Sequence, residues 1–472
     1  MSRRRTHPPH RLLRRATVAV AASLGLTLSP VVAWACDDGE QQATAETAPA
    51  SPHTARAVAA GQLDAVAPSG DYGSVEFVGN LPEAVGATAI NFLDYGAKQR
   101  AMFVTGRFGL KSYDVTNPEK PRLLDSIDMP GFWENEDMDV DPSRKLVFLS
   151  QDPRAFGQPQ SSGESGVYIV SARDPANLEI LSFAHVPAGH TTTCINDCKY
   201  LWTGGPMKAD DQPEDWQGRP IFVTDIRDPK RPKVYPDPVD LGRNDGVTDY
   251  VHDVQVDEDG VAWASGRGGL RGYWTKGRHW DPVQKVYRVA TASDPVPYAG
   301  GKFVQQPDVG FPGGSFAHNA LRPTRSMGGH PAGDLALVTI ENFSDSCETD
   351  GNLLFVSLGD SRDGQGWRST PENPYRLKIV GEFSPWGQEG SDPTTGCSAH
   401  YFQLQGDLVV QSFYGNGTRF IDVSDPAHPK QVGYYRPDGG SSAAPYFNGD
   451  VVYVADGRRG VDIIRPTMAK VG

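Results

Sequence analysis

The sequence predicts an all-β fold, a seven-bladed β-propeller of four-stranded antiparallel blades closed by an N-terminal strand that completes the last blade. Three observations carry this. A strand-and-turn unit recurs along the chain, seven segments suit the innermost strand of a blade, and the last unit is one strand short.

The unit is plainest in Arg419-Phe-Ile-Asp-Val-Ser-Asp-Pro-Ala-His-Pro-Lys430. Residues 110–122 and 221–233 keep the same order of chemistry, and Val167–Pro175 is a partial copy. β-Branched and aromatic residues favour a pleated strand. Asp or Asn before proline ends it, because proline fixes φ and cannot donate to a ladder. Between these units lie strands such as Met102–Arg107 and Ala262–Arg267, so each cycle reads as four strands. The innermost begin near Thr88, Glu136, His190, His252, His318, His400 and Ser442. Blade 4 is the least regular, since residues 268–274 and the Trp280-Asp-Pro282 turn replace the usual motif. Blades 3 to 6 carry long polar insertions, among them Met207–Gln217 and Ser361–Glu372. After Gly460-Val-Asp-Ile-Ile464 the last blade lacks an outer strand, and Ser74-Val-Glu-Phe-Val78 is available to supply it. Such an exchange removes an exposed sheet edge.

The amino terminus reads as an export signal over residues 1–35. It has six arginines and no acid, then an apolar run from Ala16 to Leu28, then Ala33-Trp34-Ala35. The Arg14-Arg15 pair lacks the flanks of a twin-arginine signal, and the route stays open. Residues 36–72 are rich in Ala, Pro, Thr and acid and read as a disordered tether, leaving 73–467 for the propeller. Net charge is −13, or −19 once the six leader arginines are gone, which argues against nucleic acid or an anionic membrane surface as partner. No later stretch approaches the 18 apolar residues of a membrane span. The expected product is a secreted or surface-attached monomer.

Five cysteines agree with export. Cys194 and Cys198 flank a tight hairpin turn and are expected to bridge, with half of a metal site as the alternative. Cys347 and Cys397 fall on the same face of adjacent blades and make the second expected pair. Cys36 is left over, either a lipidated first residue or a bystander in a secreted chain.

The Asp-Val-Ser-Asp-Pro-x-x-Pro-Lys units, followed by strands like Val451-Val-Tyr-Val-Ala-Asp-Gly457, resemble the LVIVD-repeat proteins, secreted or surface-attached bacterial and archaeal propellers. The resemblance spans roughly residues 74–465. It implies the propeller and export, and supplies no activity or catalytic residue.

The functional signal is a column at the inner-strand starts, where blades 2 to 6 place Glu136, His190, His252, His318 and His400. Two of the eleven histidines lie in the leader, so four of the remaining nine share one structural position. In a propeller these positions ring the mouth of the central channel. Four nitrogens with a carboxylate suit one transition metal ion (Fe, Mn, Cu or Zn), with Asp253 and Asn319 available to orient the rings. Carotenoid-cleavage oxygenases hold iron by histidines in a propeller, and methanethiol oxidases of the selenium-binding family are propellers of similar length; the likeness is one of architecture. The competing reading is that His252, alternating with Val254 and Val256, packs on a sheet face. Asp137, Asp139 and Asp141 lack the glycine and terminal glutamate of a calcium loop and read as turn acids. Two function classes follow. One is a surface binding scaffold that offers an extracellular protein or small ligand its upper loops. The other is an exported metal-dependent oxidoreductase or lyase using the column.

Overall fold

The computed structural model describes residues 67–129, 135–152, 165–205, 218–219, 221–239, 241, 249–266, 269–303, 316–342, 347–348, 351–368 and 375–468. The leader, Cys36 and residues 207–217 lie outside them. The described chain is all-β apart from short 3₁₀ turns.

Seven sets of four antiparallel strands follow one another. Blade 1 comprises Ala87–Asp94, Arg100–Gly106, Gly109–Asp114 and Arg122–Asp128. The inner strands of blades 2 to 7 are Met138–Asp141, Thr191–Ile195, Asp249–Val256, Phe316–Leu321, Phe402–Gln405 and Ser442–Asn448. The outer strand of blade 7 is Val75–Leu81, paired antiparallel with Gly460–Pro466 from Val75↔Pro466 to Leu81↔Val461. The N-terminal strand therefore completes the last blade.

Second strands such as Arg100–Gly106 read as unbroken apolar runs because both faces are covered. Met102 and Val104 pack against blade 7, while Ala101 and Phe103 pack against blade 2. Seven apolar clusters result, one between each pair of neighbours including blades 7 and 1. Each fully buried Val or Phe contributes about 1.5–3 kcal/mol.

The recurring motif is a pair of successive side-chain-to-backbone turns. In blade 6, Asp422 accepts from the Ser424 amide at 2.9 Å and Asp425 from the Ala427 amide at 3.1 Å. Blade 1 repeats this with Asp114 to Thr116 and Asn117 to Glu119, and blade 3 with Asp225 to Arg227 and Asp228 to Lys230. Blade 2 has Ser171 at the first position and keeps only the second turn, Asp174 to Ala176. A carboxylate or amide two residues ahead of an N–H is the group that such a turn requires, hence the repeated Asp and Asn.

Three features differ from the sequence reading. The tether does not run to residue 72: Gly70–Gly73 forms a fifth strand on blade 6 beside Lys430–Pro437, with Tyr72 stacked on Tyr435 at 5.0 Å. In blade 4 a hairpin, Gly277–Asp281 with Val286–Ala290, is inserted ahead of the fourth strand Val296–Phe303, which is why the motif is missing there. The Ser361–Glu372 insertion is not simply a polar loop. Trp367 is buried edge-on to Tyr273, and Ser361 Oγ accepts from the Gly300 amide at 3.0 Å. Isolated apolar residues in a polar run carry no periodic signal.

Blades 4 and 5 are also joined by a buried cation. Arg322 donates to Asp257 at 2.7 Å, to Asp259 at 2.6 Å and to Tyr298 at 3.2 Å. Arg322→Met leaves the buried Asp257 carboxylate short of its cation, and is expected to cost about 3–5 kcal/mol. Urea unfolding checks this, and a loss below about 1 kcal/mol would show the pair to be dispensable.

Candidate metal centre

Local backbone geometry aims the column at the axis. A β-bulge between Val251 and Asp253 frees His252 from the ladder, and another between Ala317 and Ala320 frees His318 and Asn319. A bulge breaks strict alternation and re-aims a side chain. For that reason the sheet-face reading of His252 does not hold. His400 sits just ahead of its strand, fixed by its amide donating to the Ser412 carbonyl at 3.0 Å. His190 is fixed in the same way against Gly204 at 3.0 Å. Asn135, donating to the Ser150 carbonyl at 2.7 Å, holds the turn that carries Glu136.

All five predicted residues come together and are buried. Glu136 is the hub. One of its oxygens meets His318 Nε2 at 2.7 Å and His400 Nε2 at 2.9 Å. The other contacts His190 Nε2 and lies 3.4 Å from His252 Nε2. The rings follow blade order around the axis, at centroid separations of 4.6, 4.2 and 4.1 Å from His190 to His400. The His190 and His252 Nε2 atoms are 3.0 Å apart.

Burial alone would push the Glu136 carboxyl up, but the His190 and His252 imidazoles outweigh it and hold the group well below the carboxylate range. Burial, with His400 and His252 alongside, holds His318 well below the ordinary imidazole value, so its ring is neutral. His400 also feels burial, but Glu136 and Glu341 draw it upward. Neutral imidazole with Nε2 turned inward is the ligand form of histidine.

The outer contacts differ from expectation. Asp253 and Asn319 bond each other at 2.7 Å, and Asp253 also accepts from Gln255 at 3.0 Å. Two of the ring Nδ1 atoms instead face the Ala443 carbonyl, 2.7 Å from His400, and Asp152, 3.4 Å from His190. Glu341 lies 4.0 Å from His318 Nε2 and accepts from the Tyr414 hydroxyl. Asp152 and Glu341 thus add two carboxylates beside the residues of the column. Both sit where a second strand, Leu146–Gln151 or Leu335–Glu341, reaches the face on which the inner strands start. That position is legible once strand direction is considered.

Cys347 and Cys397 are at disulfide distance, with Cα atoms 5.3 Å apart, and tie the second-to-third loop of blade 5 to the residues before His400. Cys194 and Cys198 are likewise paired across their turn, with Cα atoms 4.6 Å apart. Asp141 accepts from the Ser143 amide at 2.8 Å and Asp139 from the Cys194 amide at 2.7 Å. Asp141 is the expected turn acid, whereas Asp139 reaches the backbone of the neighbouring blade and, with Asp137, lines the central channel.

No helix among the described residues is long and apolar enough to cross a membrane. No protein-family model matches the chain, and no curated protein does. Similar solved structures include the periplasmic gluconolactonase PpgL of Pseudomonas aeruginosa, at 17% identity over 75% of this chain and 86% of that one, TM-score 0.47. Others are a putative 6-phosphogluconolactonase from Bacteroides fragilis (12%, 77% and 89%, TM-score 0.46) and the Cps50 (Swd1) β-propeller domain of Myceliophteria thermophila (10%, 81% and 98%, TM-score 0.45). At these identities and TM-scores nothing of their chemistry carries over to this chain.

Proposed function

We propose that the propeller is an exported scaffold for a mononuclear transition-metal centre, held by His190, His252, His318 and His400 with Glu136, and that this centre serves an oxidoreductase or lyase. The observation that supports the reading is the meeting of four imidazoles, from four successive blades, on a single buried carboxylate. One carboxylate does not balance four close-packed rings by hydrogen bonding. A cation does, and nitrogen-rich donors with one carboxylate suit Fe, Mn, Cu or Zn. The Ala443 carbonyl fixes the His400 tautomer so that Nε2 is the free donor, as outer contacts do in metal sites. Export is supported by the two cysteine pairs, which belong to an oxidising compartment.

Elemental analysis tests this on protein purified with no chelator. About one equivalent of a single transition metal is expected. His318→Ala and His400→Ala are expected to lose most of it while keeping a cooperative melt. Metal-free wild-type protein that also fails to take up Fe²⁺, Mn²⁺, Cu²⁺ or Zn²⁺ would leave the cluster structural and return the scaffold to a purely binding role.

A further inference from the structure

Below the histidine ring the channel stays open. A cavity of 540 Å³ runs from Asp137, Asn319 and Tyr401, each next in sequence to a cluster residue, down to Gln405 where the inner strands end. None of the five cluster residues lines it, so it is a separate compartment entered from the opposite face. Its size suits a small organic molecule and far exceeds one bare ion.

Among the described residues the lining holds the acids Asp137 and Asp139 and no Lys, Arg or His. Burial, with the neighbouring acids, pushes Asp137 well above the ordinary carboxylate value and Asp139 up to about 6. Asp253, fully buried, stands within the electrostatic reach of both. Among the described residues the Tyr401 hydroxyl, whose residue is 7% exposed and lines the cavity, finds no hydrogen-bond partner, and neither does Asp253 Oδ1. Such groups are costly to bury unsatisfied. The phenol ring of Tyr446 faces the same space and is close enough to Asp137 and Asp253 to feel their charge.

Three crowded acids with no basic residue in the lining disfavour an anion, and a neutral polyol leaves their mutual repulsion unrelieved. A cationic head group answers both features. Its N–H groups would donate to the Asp137 carboxylate and the Tyr401 oxygen, and the Tyr446 ring offers a cation–π face. We propose that the lower channel is a second binding site, for a small organic cation with an alkylammonium or guanidinium head. The proposal does not rest on the metal reading, because the two compartments share no lining residue.

Putrescine is a suitable probe, measured by calorimetry on the full protein at low salt. Saturable 1:1 binding is expected, with inositol and acetate silent. Asp137→Asn keeps the oxygen that accepts from the Met138 amide and removes the group that a bound cation would hold ionised. That variant and Tyr446→Leu are each expected to weaken binding by about tenfold or more, with metal content unchanged. No binding by wild type, binding of Ca²⁺ in place of putrescine, or equal affinity in both variants would overturn the proposal. Should either variant fail to melt cooperatively, hydrogen–deuterium exchange of the wild type decides. Slower exchange of the Asp137–Asp139 peptide with putrescine supports the site, and unchanged exchange refutes it.

Discussion

A chain that begins at Ala87 is expected not to fold cooperatively. Removing Val75–Leu81 strips the outer strand from blade 7 and exposes the whole edge of Gly460–Pro466. It also removes Asn80, which donates to Asp462 at 2.8 Å and to the Arg459 carbonyl at 3.0 Å, and takes buried Leu81 from the core between blades 7 and 1. Several ladder bonds at about 1 kcal/mol each and two or three apolar side chains at about 1.5–3 kcal/mol each come to roughly 10 kcal/mol. That equals the whole stability of an ordinary domain, about 5–15 kcal/mol. Thermal melts followed by circular dichroism check it. A sharp transition within a few degrees of the intact chain would mean that the ring closes without this strand.

Replacing Cys347 and Cys397 together by serine is the second large effect. The pair encloses a segment with a sequence separation of 50, and loop-closure entropy puts its contribution at about 4 kcal/mol. Cys397 lies three residues before His400, and the intervening Ser398 and Ala399 are bonded to blade 5 through the Asn342 amide and the Gly351 carbonyl. Loosening this clamp is expected to lower metal retention as well as the melting temperature. Reduction of the wild type should reproduce both changes. A variant with the wild-type melting temperature and full metal content would show that the bridge neither stabilises the ring nor steadies the site.

Much of this molecule is visible in its residues. Apolar runs, Asx-Pro turns and a missing last strand all follow from local chemistry repeated at a fixed order, so blade count and closure can be read directly. The column from Glu136 to His400 is visible for the same reason, since one structural position recurs with one residue type. What escapes is whatever depends on contacts between blades. Asp253 looks like a partner for His252, yet it bonds Asn319 in the neighbouring blade. Glu341 and Asp152 join the site from second strands, and their relation to the axis appears only when the strand directions are laid out. Gly70–Gly73 has too little side-chain signal to distinguish a strand from a tether; its place is set by Tyr72 lying on Tyr435.

The closing strand also sets a clock. Asn80 and Asp462 are 382 residues apart in sequence yet directly bonded. At synthesis rates of about 5–20 residues per second, the closing strand waits roughly 20–80 s before its partner exists. Throughout that interval six blades can assemble on local contacts while the seventh remains an open edge, so the slowest native contact is also the one that seals the ring. The five cluster residues come from blades 2 to 6, whereas the Ala443 carbonyl that orients His400 comes from blade 7, so the ligands can be gathered before the last of them is fixed.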